Sequence, residues 1–443
     1  MGQKSNPSTA RESNVSIDLR SKRWRRLATA VGLYASVGLG LLASVVAFRL
    51  LGKHDFGLFA TVVAAAGLFE SLLDLTVEES LTKYGFRYIA NEDWGRLRRL
   101  FAVAVRAKLA GALLALVALA GFAVIANSVY GVHGLARPML VVALLPLVQT
   151  QEDIAATALL LRSRYDVRAG FLLLSMALRL AGVAIGAHYG VVQAVLGMVV
   201  AQALATAAVS GAGIAAFRRF PTAPARRLGD DRREIFGFVV RSSISTGILS
   251  LRTSLAPLLL GVVSSTDAVG LFRVAQAPQS GLTAASSPVR LILLTEQTRD
   301  WEHGRERAVL AGLSRYILAT TALMAAAVPV FYLAMPWLVR TVFGTDAEGA
   351  IDGARVMLIA AALLLVFGWS KSLPVSIGRP ELRIWAHGLE TAVLLPLVLV
   401  LGARWGVTGA AIATLVSTGA FVALWAVLLL RLRGEVARRA AVA

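Results

Sequence analysis

The chain contains twelve apolar segments, each close to the length that crosses the hydrocarbon core of a bilayer as an α-helix. Hydrophobic residues make up 57% of the chain and charged residues 16%, whereas about 25% of the residues in a soluble protein are charged. The twofold alternation of an outer-membrane barrel is absent. The sequence therefore predicts an all-α polytopic membrane protein, with segments at 28–51, 56–77, 99–126, 138–161, 169–188, 191–217, 234–263, 268–295, 308–335, 354–372, 384–402 and 407–430.

The connections between these segments alternate in charge, and this alternation predicts the orientation of the chain. On one side, Lys53, Arg137, Arg340 and Arg404 are almost the only basic residues, while the other side carries most of the net charge of +19. The positive-inside rule places the basic side, which includes both termini, in the cytoplasm. Since membrane orientation accounts for the charge, no nucleic-acid partner is expected.

Four short stretches recur at about half the chain length. Gly57-Leu58-Phe59 returns as Gly270-Leu271-Phe272 (270 − 57 = 213), and Tyr189-Gly190-Val191 returns as Trp405-Gly406-Val407 (406 − 190 = 216). Asp93-Trp94 with Asp300-Trp301, and 164–168 with 379–383, are the other pairs. The alternative is chance similarity between apolar segments.

A true repeat predicts two six-helix lobes. Because six is even, both lobes enter the membrane from the same side, so the repeat is parallel, with its axis along the membrane normal and a central cavity between the lobes. The predicted parts are a basic cytoplasmic tail at 1–27, an N-terminal lobe at 28–217, a cytoplasmic linker at 218–233, a C-terminal lobe at 234–430 and a basic cytoplasmic tail at 431–443.

Arginines inside the seventh segment are the first candidate site. A charged residue at mid-bilayer costs about 2.5–3.5 kcal/mol, so it is expected to face water, a partner or a substrate. Arg241, Ser245 and Arg252 are spaced so that the two arginines lie about 20° apart on one helix face. This stripe is predicted to bind an anion, and replacing Arg252 with alanine is expected to abolish transport without lowering abundance. The alternative is an ion pair with an acidic residue of the other lobe.

The eighth segment carries a polar stripe, in which Arg273, Gln276, Ser280 and Thr283 lie within about 80° of the helix circumference. Such a stripe suits a hydrated cavity that accepts sugar hydroxyls, and it equally suits contacts between helices. Other intramembrane charges are predicted to be counter-ions or ion-coupling residues; they are Glu70 and Asp74 in the second segment, Glu152 and Asp153 in the fourth, and Arg179 in the fifth.

Motifs of nucleotide hydrolysis, zinc proteolysis and serine hydrolysis are absent from the sequence. The five His are scattered and there is no Cys, so neither a metal site nor a cofactor is expected. The chain is therefore predicted to transport a substrate rather than to act as an enzyme.

The stretch from Arg49 to Phe59 (RLLGKHDFGLF) resembles the oligosaccharide flippase, or polysaccharide biosynthesis protein, family of the multidrug/oligosaccharidyl-lipid/polysaccharide (MOP) exporter superfamily. Leu72-Leu73-Asp74-Leu75-Thr76 resembles the next motif of that family, although the family commonly has glycine where Thr76 stands. The loop from Gly378 to Glu381 is also similar.

The resemblance implies two six-helix bundles around a V-shaped cavity between the first, second, seventh and eighth segments. It also implies alternating-access transport of a polyprenyl-(pyro)phosphate-linked oligosaccharide from the cytoplasmic to the outer leaflet of a bacterial inner membrane, for surface polysaccharide assembly. The expected partners are this substrate and membrane lipids, with a polysaccharide polymerase and export proteins as further candidates.

Two other transport functions remain open at this point. A cation-coupled small-molecule or drug antiporter of the same superfamily would have an acid-dominated cavity. A peptidoglycan-precursor lipid flippase would instead need a cavity that binds an anion, as an oligosaccharide flippase does. A membrane-bound polymerase or ligase would need a long outer loop with Arg or His, which the sequence lacks.

Overall fold

The computed structural model describes residues 7–73, 76–285, 293, 296–297, 299–301, 303–379 and 381–442. The described part of the chain is helical and has no β-strand, which confirms the predicted fold class. Asp74 lies outside the described residues, and so do residues 286–292 of the predicted eighth segment and the side chain of Ser245.

Sixteen α-helices are assigned in the described residues. They are α1 (Pro7–Leu73), α2 (Val77–Ala90), α3 (Trp94–Tyr130), α4 (Ala136–Val142), α5 (Leu145–Gln149), α6 (Glu152–Leu161), α7 (Tyr165–Ala187), α8 (Val191–Arg218), α9 (Asp231–Ser250), α10 (Ala256–Val263), α11 (Thr266–Ala275), α12 (Ala277–Ala285), α13 (Glu306–Phe343), α14 (Ile351–Val366), α15 (Leu373–Ser376) and α16 (Glu381–Val442). A π-helical turn, Leu251–Leu255, joins α9 to α10, and 3₁₀ turns at Thr345–Ala350 and Gly368–Lys371 flank α14.

Eight helical stretches among the described residues are long and apolar enough to cross a membrane. Two of them contain two helices each, because Gly52 (φ 74°) interrupts α1 and Gly406 (φ 53°) interrupts α16. The predicted seventh segment is divided between α9 and α10, and the eighth is divided at Gln276. The protein is therefore a multi-pass helical membrane protein, while the count of twelve spans stays a prediction.

The predicted tails and linker differ in backbone structure. The tail at 1–27 continues into the membrane helix, since α1 already begins at Pro7, and α16 runs to Val442. Residues 219–230 between α8 and α9 are not helical. The lobe boundaries remain predictions.

Two recurring stretches have the same backbone role. Gly190 (φ 116°) immediately precedes α8, and Gly406 (φ 53°) precedes the second half of α16. A positive φ is strained for residues with a Cβ atom, so glycine is the residue that suits this helix start in both halves of the chain.

Another recurring pair meets at the contact between the two halves. A Cβ atom built on Gly270 would lie 3.0 Å from the Cα atom of Gly57, and His54 Nδ1 lies 2.9 Å from Asp267 Oδ1. Both contacts join equivalent positions of the repeat (270 − 57 = 213; 267 − 54 = 213). Equivalent positions touch each other where a twofold axis passes between two copies. A pseudo-twofold axis therefore passes through this crossing of α1 and α11.

Buried apolar residues surround this crossing and extend into both halves, with Phe56 and Phe59 on α1 and Leu271 and Phe272 on α11. Separate apolar clusters lie toward the opposite ends of the helices, around Tyr84 and Phe101 in the first half and around Trp369 and Trp425 in the second. The halves thus share a core at this crossing, and they meet again in the cluster around Tyr84, which includes Ile235 and Val239 of α9.

We expect Gly57→Ala to weaken this contact, because the added methyl group would run into the carbonyl group of Thr266. Overpacking of this kind costs about 1–3 kcal/mol. The chain has no natural Cys, so His54→Cys/Asp267→Cys can be cross-linked by a short bismaleimide without background labelling. Addition of Gly57→Ala should lower the cross-linking yield severalfold.

Gly38→Ala is the matched control, because Gly38 lies on the same helix and a Cβ atom there meets nothing within 4 Å. It should leave the yield unchanged. Equal yields in the two alanine variants would contradict the close approach at Gly57.

Candidate functional site

A cavity of about 480 Å³ lies among α10, α11, α12, α14 and α16, with Val37 of α1 at its edge. It brings together five predicted site residues, namely Arg252, Arg273, Gln276, Ser280 and Thr283. The other polar residues of its lining are Thr253, Gln279, Ser370, Lys371, His387 and Thr414.

Arg252 reaches the cavity from the π-helical turn Leu251–Leu255. Pro257 explains why the helix widens here, because proline has no N–H to donate to the carbonyl of Thr253 and its ring crowds that carbonyl. Single π-helical turns inside α-helices are frequent at functional sites.

The eighth segment is also interrupted beside the cavity. Gln276 separates α11 from α12, and Pro278 in the first turn of α12 lacks an N–H group. Discontinuous helices that line a central site are a recurring feature of secondary transporters. The break places Arg273 before the interruption and Gln279, Ser280 and Thr283 after it, on one cavity wall.

Arg252 is paired with a carboxylate that the sequence analysis overlooked. Its Nη1 donates to Glu390 Oε2 of α16 over 2.8 Å, and His387 Nδ1 lies 3.2 Å from the same oxygen. The Glu390 side chain is fully buried and that of Arg252 is 15% exposed. Glu390 Oε1 has no hydrogen-bond partner among the described residues. The counter-ion of Arg252 is thus in the C-terminal half, and the pairing expected with Glu70 or with the other lobe is not formed in the described structure.

Arg273 differs from Arg252, because it has no hydrogen bond or ion pair with any described residue. The charged group that acts on Arg273 electrostatically is Arg179 of α7, which has the same sign. Arg179 in turn interacts electrostatically with Glu70 of α1, and Gln149 donates a hydrogen bond to Glu70. Glu70 and Arg179 therefore form a charge group beside Arg273.

The ionisable side chains of the cavity lining are all basic residues. Arg252, Arg273, Lys371 and His387 line it, and no Asp or Glu is among its described lining residues. The carboxylate of Glu390 lies behind Arg252, outside this lining. The cavity can therefore receive an anionic group next to neutral amides and hydroxyls.

The structure separates Arg241 from this group. Arg241 is exposed, its Nε donates to the carbonyl of Gly237 one turn back on α9, and it does not line the cavity. Eleven residues of helix place it about 16 Å along the axis from Arg252. The predicted stripe of Arg241 with Arg252 is therefore not a single binding surface.

Glu152 and Asp153 lie elsewhere, at the start of α6. Gln202 donates to Glu152, and Lys108 Nζ contacts Asp153 Oδ2 at 3.0 Å and Glu78 Oε2 at 3.2 Å. Lys108 is buried in this cluster. The two acids thus belong to the N-terminal half and do not reach Arg252.

Four residues at or behind the cavity were not among the predicted site residues, namely Glu390, His387, Lys371 and Gln279. Glu390 could have been found from the sequence, because a charged residue in the middle of the apolar segment 384–402 is energetically costly and therefore indicates a partner or a function. His387 lies one turn before it. Lys371 and Gln279 carry no comparable signal, because their role depends on how α12 and the turn Gly368–Lys371 pack around the cavity.

Solved structures with the same fold include transporters and a flippase. A lipid II flippase MurJ in an inward closed conformation superposes with a TM-score of 0.67 at 10% identity, covering 90% of this chain and 86% of that one. An inward-facing multidrug resistance MATE family transporter of the MOP superfamily gives 0.60 at 15% identity, covering 93% and 96%. A MOP superfamily transporter from Pyrococcus furiosus, described by the reverse polarity of its binding pocket, gives 0.60 at 14% identity, covering 93% and 95%.

No curated protein sequence matches the chain. The family model of the polysaccharide biosynthesis proteins matches residues 26–289, which is more than half of the chain. The chain therefore belongs to the polysaccharide biosynthesis protein family.

Proposed function

We propose that the protein flips a polyprenyl-(pyro)phosphate-linked oligosaccharide across the bacterial inner membrane, from the cytoplasmic to the outer leaflet, for surface polysaccharide assembly. The observation that carries this proposal is Arg273, which lines the cavity next to Arg252 and has no carboxylate partner among the described residues. A guanidinium without a counter-ion in a largely desolvated site is suited to bind a phosphate through two hydrogen bonds.

The two cavity arginines have different parts in this proposal. Arg273 is available to the anionic headgroup, whereas Arg252 is shared with Glu390. A guanidinium has five N–H donors. Arg252 can therefore donate hydrogen bonds to the phosphate while its Nη1 stays bound to Glu390. Gln276, Gln279 and Ser280 would then face the sugar hydroxyls.

The geometry fits alternating access by the two halves. The contact of Gly57 with Gly270 lies on the pseudo-twofold axis and is one of the places where the halves meet. Rocking of the halves about a central site would expose the cavity alternately to the two sides of the membrane. We place both termini in the cytoplasm, as the distribution of arginines predicts.

The basic lining disfavours the cation-coupled drug antiporter, since basic side chains repel a cationic drug and no carboxylate is among the described lining residues to offset this. The MOP superfamily transporter from Pyrococcus furiosus is described as having a binding pocket of reverse polarity, which suggests a different function for that protein. The polarity of this cavity supports an anionic substrate, and the peptidoglycan-precursor flippase remains the alternative with the same headgroup chemistry.

Reconstituted proteoliposomes test the proposal. They would be loaded with a polyprenyl-pyrophosphate-linked oligosaccharide, a peptidoglycan lipid precursor or a fluorescent cationic drug. We expect the oligosaccharide to become accessible to an added glycosidase in the opposite leaflet, with no accumulation of the drug. Flipping of the peptidoglycan precursor alone would assign the alternative, and drug accumulation without flipping would refute the proposal.

A further inference from the structure

A second basic cavity lies far from the one described above, where the linker between the halves docks on α3. The linker is held in place by contacts around the first turn of α3. The N–H of Arg226 donates to the carbonyl of Gly95 over 3.1 Å, and a Cβ atom on Gly95 would lie 2.8 Å from the carbonyl oxygen of Pro224. Phe220 stacks on Trp94 with ring centroids 5.9 Å apart, and Leu228 is buried.

The cavity between this linker, α3 and α9 has a volume of about 460 Å³. Its lining residues are Arg99, Val103, Arg227, Leu228, Gly229 and Arg232. Three of the six are arginines and none is acidic. Since the backbone on both sides of Arg227 is anchored, the arginines are held around a common space and are not on a freely moving loop.

The neighbouring charged groups are already paired, whereas these three arginines are not. Arg96 Nη1 lies 3.3 Å from Asp231 Oδ2, and Arg87 Nη1 lies 3.1 Å from Glu234 Oε2. Tyr88 also donates to Asp231, and burial together with this hydrogen bond raises the pKa of the phenol, so it stays protonated. By contrast, none of the three cavity arginines has a hydrogen-bond or ion-pair partner among the described residues.

The position of the cavity points to a ligand that is itself in the membrane. Val103 follows Arg99 by one turn of α3, is 37% exposed and belongs to a stretch apolar enough to span the bilayer. The cavity thus has a charged part formed by Arg99, Arg227 and Arg232 and an apolar edge on a membrane helix, which is the arrangement at the headgroup level of a bilayer.

We propose that this cavity binds the phosphate headgroup of an anionic membrane lipid, with the acyl chains running along α3 past Val103. Arginine pairs with phosphate through two parallel hydrogen bonds, and basic pockets on the cytoplasmic side of membrane proteins suit anionic headgroups. The bound lipid would tether the linker to the membrane surface. This site is independent of the substrate assigned above.

Native mass spectrometry of the delipidated full-length protein, titrated with phosphatidylglycerol, tests the site. The variant Arg99→Gln/Arg227→Gln/Arg232→Gln should bind phosphatidylglycerol about 100-fold more weakly, because each basic residue near an anionic surface contributes a factor of about five and three are removed. The matched control is Arg218→Gln/Arg219→Gln/Arg233→Gln, which removes the same charge from exposed positions outside the cavity and should bind within about twofold of the wild type. An equal loss in both variants, or no loss in the first, would overturn the proposal.

Two further measurements distinguish the source of the phosphate. Inorganic phosphate should not displace phosphatidylglycerol, whereas efficient displacement would mean that a soluble phosphate occupies the cavity and would overturn the lipid assignment. Phosphatidylglycerol should raise the melting temperature of the wild type and of the control variant, and should leave the cavity variant unchanged. A shift of the same size in the cavity variant would contradict the site.

Discussion

Arg273→Gln is expected to abolish flipping of the lipid-linked oligosaccharide in proteoliposomes while the protein stays folded. The phosphate loses a guanidinium that has no competing carboxylate among the described residues. Charge-assisted hydrogen bonds contribute about 1.5–3 kcal/mol, so the initial rate should fall about 100-fold. Removing an unpaired, half-buried charge does not leave a partner unpaired, so the melting temperature should be unchanged or higher.

The controls for Arg273 separate its charge from general effects on the membrane protein. Arg273→Lys keeps the charge and should retain partial activity, since an ammonium group still attracts phosphate but lacks the planar fork. Arg404→Gln removes an exposed arginine outside the cavity and should be as active as the wild type. Normal flipping by Arg273→Gln would refute the proposed phosphate contact.

Arg252→Leu should behave differently, because it is expected to destabilise the protein as well as stop transport. The substitution leaves the fully buried carboxylate of Glu390 without its guanidinium, and breaking a buried pair from one side costs about 3–5 kcal/mol. The double variant Arg252→Leu/Glu390→Leu removes both charges. It should recover most of the stability and remain inactive in flipping. Thermal melting followed by tryptophan fluorescence, together with the flipping assay, gives both readouts.

The control for the Arg252 and Glu390 variants is an exposed ion pair with the same N–O distance. Arg340 Nε lies 2.8 Å from Glu348 Oε1, and the two side chains are 54% and 47% exposed. Exposed pairs contribute about 0–1 kcal/mol, so Arg340→Leu should change the melting temperature little. If the double variant stayed as unstable as Arg252→Leu, the pairing of Arg252 with Glu390 would be wrong. Recovery of flipping in the double variant would make Arg252 a purely structural residue.

The effect expected from replacing Arg252 differs between the sequence analysis and the structure. From the sequence alone, replacing Arg252 was expected to leave abundance intact, because its counter-ion was unknown. Glu390 lies 138 residues away in the chain, and no spacing rule connects the π-helical turn to α16. The contact with Glu390 converts a variant that tests function into one that also tests stability.

The polar stripe of the eighth segment was predictable from local spacing. Gln276, Ser280 and Thr283 recur at helical intervals, and helical periodicity is preserved closely enough across the break at Gln276 for them to line one cavity wall. Arg241 and Arg252 were judged by the same rule, but they are about three turns apart and Arg241 does not line the cavity. Periodicity predicts which face of a helix two residues share, and it does not predict that residues about three turns apart reach the same cavity.

The sequence by itself determined the membrane class, the all-helical architecture and the equivalence of the two halves, because the length of apolar segments, charge alternation and recurring glycines are local properties of the chain. Tertiary structure alone decided that Gly57 meets Gly270, that Glu390 pairs with Arg252 and that Arg273 has no carboxylate partner among the described residues. The physical reason is that the energy of a buried charge depends on which other charge is packed within a few ångströms of it, and that neighbour is selected by the folding of distant segments.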